Sequence, residues 1–169
     1  MNQELIKEKL LTWITEFVET PNPLLGQWAP CPYARSARLN NKIEIRFSHA
    51  KDLLFDVVNN IDLLKDKDVI IFCFDHTKIV PESLAIIVAG MNQALMKVNV
   101  VALEDHPDIK ESINGVDMNF GLCGLLLVQN LDKLNTASRQ LKEKGYYRTW
   151  SLDNLDDVVN WRNDEIRQN

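Results

Sequence analysis

Residues 69–74 have the sequence Val-Ile-Ile-Phe-Cys-Phe, an uninterrupted apolar run that begins with β-branched side chains. A run of this length and composition is typical of a central strand whose two faces are both covered. An alternating run precedes it at residues 42–47, and two shorter apolar runs follow it at residues 100–103 and 125–128. The sequence therefore predicts four strands, with residues 69–74 as a central one.

Helical patterns lie between the first three strands. Apolar side chains recur at helical spacing over residues 49–64 and in a segment that begins at Pro81. The same pattern predicts further helices over residues 2–19, 132–144 and 153–168. Strands that are joined by helices are typically parallel, because the connecting chain crosses the sheet to return to the same edge.

We therefore expect one α/β domain over residues 1–169, with a mainly parallel four-stranded sheet flanked by helices. A ferredoxin-like α+β sheet is the alternative, because the fourth strand follows a non-helical loop and can run antiparallel. The segment 20–41 contains four prolines and one glycine, which disfavour regular structure, together with apolar residues such as Leu24 and Trp28. This segment is expected to be an ordered loop packed over the domain, and such loops are often functional.

The composition excludes several classes of protein. Hydrophobic residues make up 46% of the chain and charged residues 25%, which is typical of a globular domain. The net charge of -5 argues against nucleic-acid binding, and no apolar run approaches the roughly 20 residues of a membrane span. Three widely spaced cysteines and the lack of a signal-peptide pattern favour a cytoplasmic protein with free thiols.

The three histidines of the chain each lie just beyond a predicted strand. His49 follows Ile-Arg-Phe-Ser, His76 follows Phe-Cys-Phe-Asp, and His106 follows Val-Ala-Leu-Glu-Asp. If these strands are parallel, their carboxyl ends share one edge of the sheet, which is where open α/β folds bind ligands. His49 also fits an exposed position in the first turn of a helix, so the site prediction depends mainly on the other two histidines.

Carboxylates accompany this histidine pair. We predict a catalytic set in which an imidazole acts as general base and carboxylates orient it or bind the substrate. Its members are His76, His106, Asp75, Glu104 and Asp105. The same residue types bind Zn, Fe or Mn, so a divalent metal ion held by His76, His106 and Asp105 is the cofactor that the sequence suggests. No spacing matches an established metal motif, and helix caps explain several of these side chains without any function.

A second candidate motif is Cys31-Pro32-Tyr33-Ala34-Arg35 in the proline-rich segment. Its first three residues are similar to the glutaredoxin active site, although Ala34 replaces the second cysteine and no strand precedes the motif. We expect this loop to roof the histidine cleft, with Cys31 and Arg35 as substrate-binding residues. The alternative is a buried structural cysteine in a loop fixed by prolines.

Several motifs occur in a recognisable order over about residues 10–130: Trp13, Cys31-Pro32-Tyr33-Ala34-Arg35, Leu53-Leu54, Ile70-Ile71 before His76, and Glu104-Asp105-His106-Pro107. This layout resembles an uncharacterised bacterial family with a tryptophan-containing first helix and a Leu-Cys-Pro-Phe-Ala-type loop. Later strands of that family end near a histidine and in Phe-His-Pro. Here the aromatic residue before His-Pro is absent, and Thr77 rather than proline follows His76. The resemblance implies no established activity.

Two functions from different classes are therefore expected. The first is an enzyme or metal-binding protein that acts on a small molecule at the carboxyl edge of the sheet. The second is a non-catalytic binding or regulatory module, as a homodimer joined through a sheet edge or the C-terminal helices. Tyr147 and Trp150 are the aromatic residues that such an interface would use.

Overall fold

The computed structural model describes residues 2–164. Its strands are β1 (Ile43–Phe47), β2 (Val69–Phe74), β3 (Val100–Asp105), β4 (Ser112–Ile113), β5 (Val116–Asp117) and β6 (Gly124–Asn130). Its α-helices are α1 (Gln3–Trp13), α2 (Ala34–Leu39), α3 (Leu53–Asn60), α4 (Pro81–Leu95), α5 (Leu131–Glu143), α6 (Leu152–Leu155) and α7 (Trp161–Asp164). All four predicted strands are present, and the structure is a mixed α/β fold with helices flanking one four-stranded sheet.

The strand order in this sheet is β1-β2-β6-β3. The prediction of a mainly parallel sheet is wrong, because only β1 and β2 pair in parallel, whereas β6 is antiparallel to both of its neighbours. The physical reason lies in residues 106–123, where no helix crosses the sheet between β3 and β6. The chain instead turns back and enters the middle of the sheet from the edge that it has just left. The parallel β1–β2 pair also differs from a ferredoxin-like sheet, in which neighbouring strands are antiparallel.

The two faces of β2 explain why its sequence is apolar throughout. Ile70, Phe72 and Phe74 lie in one core cluster with α3 and α4, whereas Val69, Ile71 and Cys73 lie in a second cluster with α1. Side chains alternate between the faces of a strand, so both sets must be apolar when both faces are covered. The apolar run 69–74 is therefore the part of the sequence that places a helix layer on each side of the sheet.

A buried asparagine protects the free edge of β3. Asn92 of α4 is 4% exposed, and its amide nitrogen donates to the carbonyl of Ala102 at 2.9 Å. The amide N–H of Ala102 donates in return to Asn92 Oδ1 at 2.8 Å. The side chain thus takes the place of a neighbouring strand and satisfies backbone groups that would otherwise invite pairing with another chain.

The segment 20–41 is more regular than the sequence predicts. A short helical turn covers Pro23–Leu25, and α2 occupies residues that we expected to be coil. Proline breaks helices only where it lies inside them, and the last proline of the segment, Pro32, comes before α2 begins. The structure also contains the β4–β5 hairpin, whose turn at Asn114 and Gly115 has positive φ at both residues.

The C-terminal helix predicted over 153–168 appears as short helical pieces up to Asp164, and its last residues lie outside the described part of the chain. Within residues 2–164, no helix combines the length and apolar character that crossing a bilayer requires.

Candidate functional site

The sheet brings the three histidine-bearing strand ends to one edge, although not through a parallel sheet. Because β2 and β3 are both antiparallel to β6, they run in the same direction, and β1 is parallel to β2. His76 and His106 lie beside each other beyond this edge, with ring centroids 5.7 Å apart and ring planes at 87°. The two histidines are thus neighbours at one edge, as expected, although β6 lies between the two strands and neither histidine lines a shared cleft with the carboxylates.

Both ring nitrogens of His106 form hydrogen bonds with backbone groups. The ring is buried, and the amide N–H of Asp108 donates to Nδ1 at 3.1 Å. Nδ1 therefore carries no proton, and the proton on Nε2 is donated to the carbonyl oxygen of Ile79 at 2.9 Å. Both ring nitrogens are thus occupied, so the structure gives His106 the role of a hydrogen-bonding link between the ends of β2 and β3.

The carboxylates of the predicted set also point in different directions. Asp105 is buried and accepts hydrogen bonds from the amide N–H of Phe120 at 2.9 Å and from Asn119 Nδ2 at 2.7 Å. Burial raises the pKa of Asp105, and it also raises the pKa of Glu104. Adjacent residues of a strand face opposite sides of the sheet, so Glu104 and Asp105 do not converge on one ligand.

Metal binding gains no support from this arrangement. The described part of the chain contains no group of three or more His, Cys, Asp or Glu side chains that could hold a metal ion. The suggested ligands His76, His106 and Asp105 are therefore not assembled into such a group. The catalytic roles assigned from the sequence stay predictions.

The Cys31 loop is attached to other parts of the molecule. The amide of Cys31 donates to the carbonyl of Val18, and the hydroxyl of Tyr33 donates to Gln140 of α5. The hydroxyl of Tyr146 donates to the carbonyl of Pro30 at 2.5 Å. These bonds hold the loop against the end of the first helix and against α5. The substrate-binding roles of Cys31 and Arg35 stay predictions without a contact that links them to the histidines.

An open cleft lies at the carboxyl ends of β1 and β2, the two parallel neighbours of the sheet. Its volume is about 890 Å³. The residues that line it come from the ends of both strands, from the start of α3 and from the N-terminus of α1. The polar lining residues are Gln3, Ser48, His49, Lys51, Asp52, Asp56, Asp75 and Lys78, and the aromatic ones are Phe47 and Phe55.

Hydrogen bonds fix the chain just beyond β1, where it forms one wall of this cleft. The amide of Ser48 donates to the carbonyl of Cys73 at 3.0 Å, which continues the β1–β2 ladder one residue beyond the strand. The hydroxyl of Ser48 lies 2.5 Å from Asp56 Oδ2, so it orients the Asp56 carboxylate. His49 follows directly and is exposed on the cleft wall.

Asp75 is held on the opposite wall. Its Oδ1 accepts from the hydroxyl of Thr77 at 2.7 Å and from the Thr77 amide at 3.1 Å. The hydrogen bond from the Thr77 hydroxyl is the main reason that the pKa of Asp75 is lowered. Asp75 is the one member of the predicted catalytic set that lines the cleft.

Ser48, Asp52, Asp56, Lys51 and Lys78 were not predicted as site residues from the sequence. The available signal was the order of the elements: β1 and β2 are joined by one helix, so their ends are the first place to expect neighbouring parallel strands. His49 was recognised as a residue that follows a strand, but Asp56 lies inside a helical pattern that gave no reason to single it out.

Comparisons with known proteins leave the site as the only basis for a functional argument. No protein-family model, curated protein or solved structure matches this chain. The resemblance carried by Trp13, Cys31 and His106 therefore stays a prediction.

Proposed function

We propose that this protein binds a small organic molecule that carries an ammonium group, in the cleft between the ends of β1 and β2. The observation that carries the proposal is the cleft itself, which opens where two parallel strands end side by side. Ligands of open α/β sheets bind at such carboxyl ends. A volume of about 890 Å³ lies within the range of small-molecule sites.

The charge preference follows from which side chains are held in place. Asp56 is oriented by Ser48 and Asp75 by Thr77, so two carboxylates are fixed before any ligand arrives. Lys51 and Lys78 also line the cleft, and Lys78 is near enough to Asp75 to help lower its pKa, but both lysines are exposed and neither is held in an ion pair within residues 2–164. The preorganised charge of the cleft is therefore negative, which favours a cationic group.

Two phenylalanines give the ligand an apolar contact. Phe47 ends β1, and Phe55 on α3 is 70% exposed beside the cleft. An aromatic face attracts an ammonium group and also covers a hydrocarbon chain. The cleft thus combines carboxylates for a cation with aromatic surface for an organic body, and this combination favours an organic amine over a bare metal ion.

The test uses a pair of four-carbon probes of opposite charge, putrescine and succinate, with the ¹⁵N-labelled protein. Putrescine is expected to shift the amide signals of Ser48, His49 and Thr77, whereas succinate leaves them unchanged at the same concentration. Asp75→Asn and Asp56→Asn should each weaken putrescine binding about tenfold, because each variant removes one charge-assisted contact.

Asp62→Asn is the matched control, since Asp62 is an exposed carboxylate that pairs with Lys65 on another part of the surface. It should leave the affinity unchanged. If 10 mM putrescine shifts none of the cleft amide signals, the proposal is excluded. It is also excluded if wild type and the two cleft variants bind putrescine with equal affinity.

A further inference from the structure

The outer face of α4 has a composition that the isolated chain does not explain. Leu84, Val88, Met91 and Leu95 point into the core. The opposite side of a surface helix normally carries charged residues, yet no charged residue occurs between Glu82 and Lys97. Ile86 on this outer side is 74% exposed. An exposed helix face of this kind is typical of a surface that another helix covers.

Gly90 adds a second, independent observation. A Cβ atom placed on Gly90 would meet no atom within 4 Å, so the fold of one chain has no steric need for glycine there. Glycine in a helix interior costs up to about 1 kcal/mol relative to alanine. A missing side chain on an exposed helix face allows the backbone of another helix to approach closely, which would compensate for this cost.

The charges near the two ends of α4 are complementary to those of a second, antiparallel copy of the same helix. Glu82, Ile86, Ala89 and Gln93 follow one another at spacings of three or four residues, Gly90 lies four residues after Ile86, and Lys97 follows in the turn just beyond α4, so these residues form one stripe. In an antiparallel pair of α4 helices with a two-fold axis between Ala89 and Gly90, Glu82 of each copy lies opposite Lys97 of the other. Within residues 2–164, neither Glu82 nor Lys97 takes part in an ion pair.

We propose that this stripe is the centre of a symmetric dimer interface, in which α4 packs antiparallel against α4 of a second copy of the chain. Ile86 of each copy then lies opposite Gln93 of the other, Ala89 and Gly90 face each other across the axis where the missing side chain lets the helices approach, and two Glu82–Lys97 pairs close the ends. The proposal is independent of the amine-binding cleft.

The apolar area available is consistent with a dimer of moderate stability. α3 and α4 cover the same face of the sheet, and their exposed apolar side chains outside the cleft are Leu54, Val58, Ile86 and Ile87. Together they present on the order of 400 Å² of apolar surface per copy, a patch size that commonly marks an interaction site. A standard interface buries about 800 Å² per partner, so the small and polar residues of the stripe complete the contact.

Sedimentation equilibrium from 1 to 500 µM tests the proposal with charge-reversed variants. Wild type is expected to dimerise, and Ile86→Lys should raise the dimer Kd at least tenfold. Glu82→Lys alone and Lys97→Glu alone should each raise the Kd about tenfold, because each creates two repulsive pairs. The double variant Glu82→Lys/Lys97→Glu should return the Kd to within about threefold of wild type, since both pairs are then attractive again.

Leu39→Lys is the matched control, because Leu39 is 65% exposed at the end of α2 and lies outside the stripe. It should leave the dimer intact. A wild-type chain that stays monomeric at 500 µM would overturn the proposal. A dimer Kd that Ile86→Lys leaves unchanged would overturn it as well, and so would a double variant that dimerises no better than either single variant.

Discussion

Replacing His106 by phenylalanine tests whether this histidine is a structural link. Phenylalanine keeps a flat aromatic ring, slightly larger than imidazole, and removes two hydrogen bonds, 2.9 Å to the carbonyl of Ile79 and 3.1 Å from the amide of Asp108. Asp108 is exposed and its amide can bind water, whereas the Ile79 carbonyl loses its buried partner. An unsatisfied buried group costs about 1–3 kcal/mol and a lost bond about 1 kcal/mol. We therefore expect a loss of about 2–3 kcal/mol in the free energy of unfolding.

The measurement is urea unfolding followed by far-UV circular dichroism, with thermal unfolding as a second readout. For a chain of 169 residues, this loss corresponds to a decrease of about 5–10 °C in Tm. His76→Phe is the matched control, because it keeps an aromatic ring against His106 and removes no hydrogen bond found within residues 2–164. It should cost less than about 1 kcal/mol. A His106→Phe variant as stable as the control would refute the structural role.

Two further variants separate the bonds of His106. His106→Asn keeps an acceptor where Nδ1 lies, and His106→Gln keeps a donor where Nε2 lies. The bond to Ile79 joins segments 27 residues apart, whereas the bond from Asp108 is local. We expect the glutamine variant to be the more stable of the two, by about 1 kcal/mol. The reverse order would show that the local turn matters more than the link between strand ends.

Three other predictions concern the edge of β3, the β2–β6 pair and a carboxyl group. Asn92→Leu should cost about 2–4 kcal/mol in urea unfolding, because it leaves both backbone groups of Ala102 unpaired; equal stability would contradict the edge-protection role. Gly124→Ala should cost about 1–3 kcal/mol or prevent folding, because a Cβ atom there overlaps the ring of Phe74; Gly90→Ala, which meets no atom, is its control and should stabilise the dilute monomer by up to about 1 kcal/mol. Although Glu111 is an exposed residue, loss of water around its carboxyl and the nearby carboxylates, above all Asp105 and Glu104, raise its pKa to about 7. The folded chain then holds a proton that the unfolded chain releases near pH 4.5, so stability falls as the pH rises from about 4.5 to 7, and Glu111→Gln should flatten this part of the unfolding profile.

The elements of the fold were largely predictable because each has a strong local pattern. The apolar run at 69–74 coincides with β2, and the helix expected from Pro81 is α4. The direction of β6 was not predictable from its own residues. Residues 125–128 are apolar on both faces, and a central strand has this pattern whether its neighbours are parallel or antiparallel. The informative feature was the absence of a helical pattern in 106–123, which had favoured the alternative sheet.

The candidate site was less predictable, because the sequence shows which residues follow strands and not how their polar atoms are used. His76 and His106 were correctly placed on one edge, but the hydrogen bonds that occupy both nitrogens of His106 come from Ile79 and Asp108. Neither partner has a side chain that signals this role, since both bonds involve backbone atoms. The hydrophobic periodicity of a sequence does not distinguish an imidazole that is free to react from one that links two loops.

The path of β6 also explains why the cleft lies between β1 and β2 and not between β2 and β3. β6 begins at Gly124, opposite Phe74, so the chain enters the sheet at the same edge where β2 and β3 leave it. The connection 106–123, in which Phe120 bonds to Asp105 and His106 bonds to Ile79, therefore fills the space beyond β2 and β3. No strand enters between β1 and β2, and both chains depart into helical turns. A gap remains at that position because two parallel neighbours diverge there, and the side chains that border it are the ones that a ligand can reach.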